Sequence, residues 1–131
     1  MNSIGLRQTS SVTSDSKDWL ASPHGTEPNA MPGITVDTSL FPANAKTDGF
    51  IPSGTLVTQS AGDATVYGPY DGAAAAGRRH GILFQAIDTS HGDNQFMTAM
   101  LVHGYVFGAK LPGGSAAVTA IGTKLPMIYV Y

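Results

Sequence analysis

The stretch GILFQAIDTSHGDNQFMTAMLVHGYVF, residues 81–107, decides the fold. It holds three apolar runs, Gly81 to Ile87, Phe96 to Val102 and Tyr105 to Phe107, divided by the turn-rich segment Asp88 to Asn94 and by His103-Gly104. Short apolar runs bounded by turn residues read as strands, and runs this apolar belong in the middle of a sheet. Residues 81–107 therefore predict the central sheet of a β-rich domain.

Toward the N-terminus the signals are weaker but of the same kind. Gly68-Pro69 ends the run Ala64 to Tyr67, and Gly62-Asp63 separates that run from Phe50 to Thr58. Pro52 and Gly54 interrupt the latter, which suits an edge or barrel-corner strand. Ile34 and Val36 alternate with Thr35 and Asp37 and predict a short strand ended by the turn region Ser39 to Pro42. The spacing is that of an antiparallel meander. Toward the C-terminus, Lys110 to Gly114 reads as a loop, and Ser115 is expected to cap a short helix to about Ile121, with Gly122 ending it in a left-handed conformation. A last strand, Met127 to Tyr131, is apolar to its end, so the C-terminus is expected to pack into the sheet.

The expected class is thus mostly β (α+β): a compact antiparallel β-sandwich or barrel-like domain with one short C-terminal helix. Composition agrees with it. The 131 residues include 16 Gly and 8 Pro without a Gly-X-Y period, which points to many turns between short strands. Residues 1–32 are rich in Ser, Thr, Asp, Asn and Pro with scattered apolar residues, and are expected to be a flexible N-terminal arm on a β-rich domain of residues 33–131. Trp19-Leu20 is the arm's adjacent bulky pair, and it docks either onto a partner or back onto its own domain. Removing the last five residues is expected to destabilise the fold.

Charge and chemistry exclude several functions. Seven basic and nine acidic residues give a net charge of −2, so no positive field concentrates a phosphate backbone. Only 12% of the chain is charged, and the neutral surface this implies suits burial against other protein. The absence of cysteine removes disulfides, thiol nucleophiles and thiolate metal sites. No apolar stretch approaches the roughly 18 residues of a membrane span, and MNSIGLRQTSS lacks the apolar core of a secretory signal, so a soluble chain not exported by that route is expected.

No catalytic, cofactor or metal residues are assigned. His24, His80, His91 and His103 show no HExxH pattern and no close histidine pair in sequence, and the Ser-His-Gly-Asp-Asn run around His91 is explained by turn chemistry. There is no Gly-x-Ser-x-Gly elbow, and the aspartates sit mostly beside Gly, Ser or Thr, where turns and caps use them. The Gly72 to Gly77 loop lacks the Gly-Lys-Ser/Thr ending of a phosphate cradle. Arg78-Arg79-His80 stands at the start of an apolar strand, where it contacts an acidic partner patch or guards the strand against aggregation.

The order of segments is more informative than any one site. Asp71-Gly72-Ala73-Ala74-Ala75-Ala76-Gly77, leading through Gly81-Ile82-Leu83 into Phe84-Gln85-Ala86-Ile87-Asp88, resembles the segment of lambda-type bacteriophage head decoration proteins in which a DGAA-like loop enters a GIL strand. Ala99 to Phe107 is similar to the strand, glycine turn and strand that follow there, and a small helix and short β segment end the chain in the expected order. Ile51 to Val57 and Tyr67 to Asp71 also resemble members of this family. The likeness covers roughly residues 48 to 131. The longer arm and the Arg78-Arg79-His80 insertion depart from the lambda protein's pattern.

The resemblance implies a structural protein, not an enzyme. It would bind the outer surface of the phage head as homotrimers at three-fold positions, with the major capsid protein as partner and no direct contact to nucleic acid or membrane, and would stabilise the expanded shell against packaged DNA. The arm would order against the capsid, adding a strand to an exposed sheet edge. Candidate capsid contacts are Ile4, Leu6, Trp19, Leu20, Ile34, Val36, Arg78 and Arg79. Two other classes stand beside it. One is a glycan-binding β module of a phage tail or surface appendage, using Tyr67, Tyr70 and Tyr105 as stacking faces; the other is a small hydrolase using His80 or His103.

Overall fold

A computed structural model describes residues 16–27, 29–46, 49–70, 78–89, 94–125 and 127–131. The strands are β1 (Gly33–Asp37), β2 (Phe50–Ile51), β3 (Leu56–Gln59), β4 (Tyr67–Pro69), β5 (His80–Leu83), β6 (Ile87–Asp88), β7 (Gln95–Leu101), β8 (Gly104–Val106) and β9 (Ile128–Val130), with one α-helix among the described residues, α1 (Gly114–Lys124). Five strands close a barrel in the order β1-β4-β3-β5-β7. The closing pair is antiparallel and the longest, from Gly33 opposite Ala99 to Asp37 opposite Gln95. The fold is mostly β, and of the two expected architectures it is the barrel.

The order differs from a sequential meander. β3 lies between β4 and β5, antiparallel to both, and β1 runs parallel to β4 through Val36 opposite Tyr67. The strand expected from Ala64 starts later and includes Gly68 and Pro69. Asp63 explains the shift, because its carboxylate accepts from the Thr65 N–H at 2.9 Å and the Thr65 hydroxyl at 2.6 Å, holding residues 63–65 in a turn.

Period-two alternation distributes the core. Leu83 and Met100 face one side with Ile34, Val36, Val57 and Tyr67, and fill the barrel. Their neighbours Ile82 and Leu101 face the other side and pack with Val106, Leu111, Ala117, Ile121, Leu125 and Ile128 beneath the helix. Residues 81–83 of β5 and 100–101 at the end of β7 are therefore buried on both faces, which is why the sequence is densely apolar there.

The third run of the decisive stretch does not join the central sheet. β8 pairs in parallel with β9 as a separate two-stranded unit, with Tyr105 opposite Tyr129. The helix also departs from expectation: Gly113, not Ser115, precedes its first turn, and it runs through Gly122 to Lys124. Gly122 has open space where a side chain would be, and Leu125, 6% exposed, anchors the end of the helix in the core. A buried anchor one turn further on outweighs the local stop signal.

Residues 16–32 fall within the expected arm, and the described part of them packs on the domain. Trp19 is 2% exposed among Ile82, Leu101 and Ile121, so of the two docking alternatives the structure shows the intramolecular one. Its Nε1 donates to Ser53 Oγ at 3.1 Å, and its ring meets Phe84 edge-on with centroids 6.4 Å apart. A Cβ on Gly54, where φ is +88°, would lie 3.0 Å from the indole, so that glycine opens the socket. Backbone bonds from Phe107 to Trp19 (2.6 Å) and from Ala21 to Tyr105 (2.9 Å) zip the segment along the free side of β8.

Candidate interaction surface

The residues that alternate outward on β8 and β9 form an aromatic face. Val106 and Ile128 point into the core, at 0% and 5% exposure. Their neighbours Tyr105, Phe107, Tyr129 and Tyr131 point the other way. Tyr129 is 57% exposed, Tyr131 70% and Phe107 43%, and Met127 (56%) extends the patch at the start of β9. The sequence places Tyr131 in a C-terminus packed into the sheet. Its backbone does so, donating to the Val106 carbonyl at 2.8 Å, while its side chain faces solvent.

The rings are ordered. Tyr105 stacks on Tyr129 with centroids 5.4 Å apart and planes at 20°, and on Tyr131 at 5.9 Å and 18°. Phe107 adds a tilted contact to Tyr131 at 6.4 Å, and His24 one to Tyr105 at 5.7 Å. Stacked rings on a paired scaffold lose little freedom on binding, so the face is preorganised. The exposed area of these side chains is on the order of 400 Å², within the range of the largest apolar patch on a monomer and often a functional one. Tyr105, Phe107, Met127, Tyr129 and Tyr131 bring no carboxylate, ammonium or guanidinium group to this face.

The sequence candidates are scattered relative to this face. Ile4 and Leu6, and the Asp71–Gly77 loop and His91, lie outside the described residues. Trp19, Ile34 and Val36, at 2%, 7% and 0% exposure, belong to this chain's own core. They alternate or cluster because they fold here, and their side chains are covered. Leu20 is half-buried and bridges Val106. Arg78 donates from Nε to the Gln59 carbonyl at 3.0 Å, whereas Arg79 is exposed and borders a shallow depression of about 370 Å³ beside Met97, which is 90% exposed.

The stacking tyrosines expected of a glycan module are also rearranged. Tyr67 is 6% exposed inside the barrel, Tyr70 lies edge-on to His80 at 5.6 Å, and Tyr105 stacks on two neighbours. His80 Nδ1 is 3.0 Å from Thr58 Oγ1, and that hydroxyl, on a residue 1% exposed, is closed to substrate. A cleft of about 430 Å³ between β3, β4 and the first turn of α1 is lined by Pro52, Leu56, Pro69, Tyr70, Pro112 and Ala117 among others, with no charged group among its lining residues.

Sequence reasoning missed the aromatic face, although its signal was present. Tyr105-x-Phe107 and Tyr129-x-Tyr131 each alternate with period two. What the sequence does not show is that these two short strands lie side by side. Scans of protein-family models, of curated proteins and of solved structures each found no match to this chain.

Proposed function

We propose that this chain is a structural decoration protein of an icosahedral bacteriophage head, bound to the outside of the shell and bridging neighbouring copies of the major capsid protein as homotrimers. The observation that carries the reading is the exposed, uncharged aromatic face of β8 and β9. A preorganised apolar face supplies adhesion without chemistry, and the ordered segment resemblance supplies the kind of partner.

The working arm is shorter than the sequence suggested. Ser16 is tied down through its carbonyl, which accepts from Ser53 Oγ at 2.9 Å beside the Trp19 socket. Residues 1–15, with Ile4 and Leu6, remain for strand addition to a capsid sheet edge. Three arms per trimer act together, so individually weak contacts become tight after the first. Because the ligand binds the assembled shell and not its separated subunits, it stabilises the shell by mass action.

The test is co-sedimentation with expanded, undecorated heads built from the major capsid protein of the same genome. The full chain, a chain lacking residues 1–15 and a Tyr129→Ser/Tyr131→Ser variant are compared. Saturable binding of the full chain, lost in either variant, supports the reading and assigns the anchor. Absence of binding by the folded full chain overturns it. Truncation at residue 32 is unsuitable, because it removes Trp19 from the core.

A further inference from the structure

Two of the four histidines meet where the N-terminal segment crosses β8. His24 sits in a tight turn in which Thr26 donates from its N–H and its hydroxyl to the Pro23 carbonyl, and the His24 N–H donates to Ser22 Oγ at 3.2 Å. His103 occupies the turn between β7 and β8. The crossing is backbone on backbone. A Cβ on Gly25, where φ is +90°, would lie 1.8 Å from the His103 carbonyl oxygen, and one on Gly104 would lie 2.8 Å from the His24 carbonyl oxygen. The main chains that carry the two imidazoles are therefore locked together by packing.

The imidazole centroids are 4.7 Å apart with planes at 78°. Among the described residues no ring nitrogen of either histidine has a hydrogen-bond partner, in contrast to His80, whose Nδ1 meets Thr58. His24 is exposed and His103 half-buried, so the pair is open to solvent on one side.

We propose that His24 and His103 form a two-imidazole site for a transition-metal dication of the zinc, nickel or copper class. Neutral imidazole is a preferred donor for these ions. A metal–nitrogen distance of about 2.1 Å places the centroids of two rings on one ion about 4.6 Å apart at a right angle and about 5.3 Å apart at the tetrahedral angle. The observed separation is close to the right-angle value; the rings meet edge to face, so the exposed His24 ring turns to bring a nitrogen to the shared position. Water fills the remaining positions. Glu27, whose carboxylate accepts from the Gly25 N–H at 3.1 Å, fixes the turn that presents His24. Because the two ligands are far apart in sequence, the site exists only in the folded chain, and an ion there clasps the N-terminal segment to β8.

The experiment is calorimetric titration of the full chain with zinc chloride and copper chloride, alongside His24→Ala, His103→Ala, His80→Ala and His91→Ala, with melting temperature recorded at each zinc concentration. The expected result is saturable uptake of one ion per chain in the sub-millimolar range. Affinity should fall at least about tenfold in His24→Ala and in His103→Ala, and stay unchanged in the other two. Zinc should raise the melting temperature of the parent and not of His24→Ala. His24 is exposed, so its variant keeps the fold even where His103→Ala does not. Absence of saturable uptake, uptake unaffected by His24→Ala, or uptake abolished by His91→Ala would each overturn the proposal.

Discussion

Replacing Trp19 by alanine tests whether the N-terminal segment is part of the domain. The indole is 2% exposed, packs between the barrel wall and α1, and donates to Ser53 Oγ. A core Trp→Ala change costs about 3–5 kcal/mol. The edge contact with Phe84, of a kind contributing about 0.5–1.5 kcal/mol, and a hydrogen bond of about 1 kcal/mol place this one in the upper half of that range. Ser53 Oγ keeps its bond to the Ser16 carbonyl, so no orphaned hydroxyl adds to the cost. About 4 kcal/mol is a large part of the roughly 5–15 kcal/mol that holds a domain together. Urea unfolding followed by far-ultraviolet circular dichroism measures it, with Trp19→Phe, expected to cost about 1–2 kcal/mol, as a variant that still folds. Trp19 is the sole tryptophan, so in the parent protein its fluorescence reports on this socket alone. A loss below about 1 kcal/mol in Trp19→Ala would refute the reasoning. So would a fluorescence transition at lower urea than the dichroism transition, since the segment would then detach before the domain unfolds.

Other substitutions probe the remaining claims. Gly122→Ala should stabilise by about 0.5–1 kcal/mol, because the residue is exposed inside α1; a destabilisation would mean that the helix ends there in a left-handed turn. Gly25→Ala should cost at least about 2 kcal/mol through its positive φ and the His103 carbonyl, whereas Gly62→Ala, with open space around it, should stay within about 0.5 kcal/mol in the same urea assay. Deleting residues 127–131 should destabilise by at least about 2 kcal/mol, since it removes buried Ile128 and the partner of β8, and a melting temperature equal to the parent's would count against that pairing. The Thr65 hydroxyl, and then its N–H, hold the Asp63 carboxyl below the usual carboxylate range. A depressed folded pKa contributes stability above the ordinary carboxylate range and loses it as pH falls through the folded value. Carboxyl-carbon NMR titration should therefore place Asp63 below an unfolded-peptide reference, and coincidence with the reference would contradict the turn.

The aromatic face and the histidine pair both depend on the segment around Trp19. That segment lies along β8 and carries His24 to His103. A composition dominated by Ser, Thr, Asp and Pro reads as an arm because it has no sustained apolar period. One indole in a socket of Gly54, Ser53 and Phe84 and backbone bonds to β8 hold it, and neither leaves a periodic trace.

By itself the sequence determined the class, because strand signals are local. The alternation of Ile34 with Val36 and the turn residues around each run mark β1, β3, β5 and β7 without knowledge of what they pair with. The apolar density of residues 81–83 and 100–101 marked the middle of the structure, since both faces of those strands are covered. Tertiary structure alone decided the order of strands in the barrel, the separation of β8 and β9 from it, and the burial of Trp19. These depend on which distant segments meet. Tyr105 becomes part of a face only when Tyr129 lies opposite it, and His24 gains a partner only when Gly25 lets the chain cross at His103. Pairings between segments far apart in the chain are selected by the fit of the whole core, and no window of sequence contains that information.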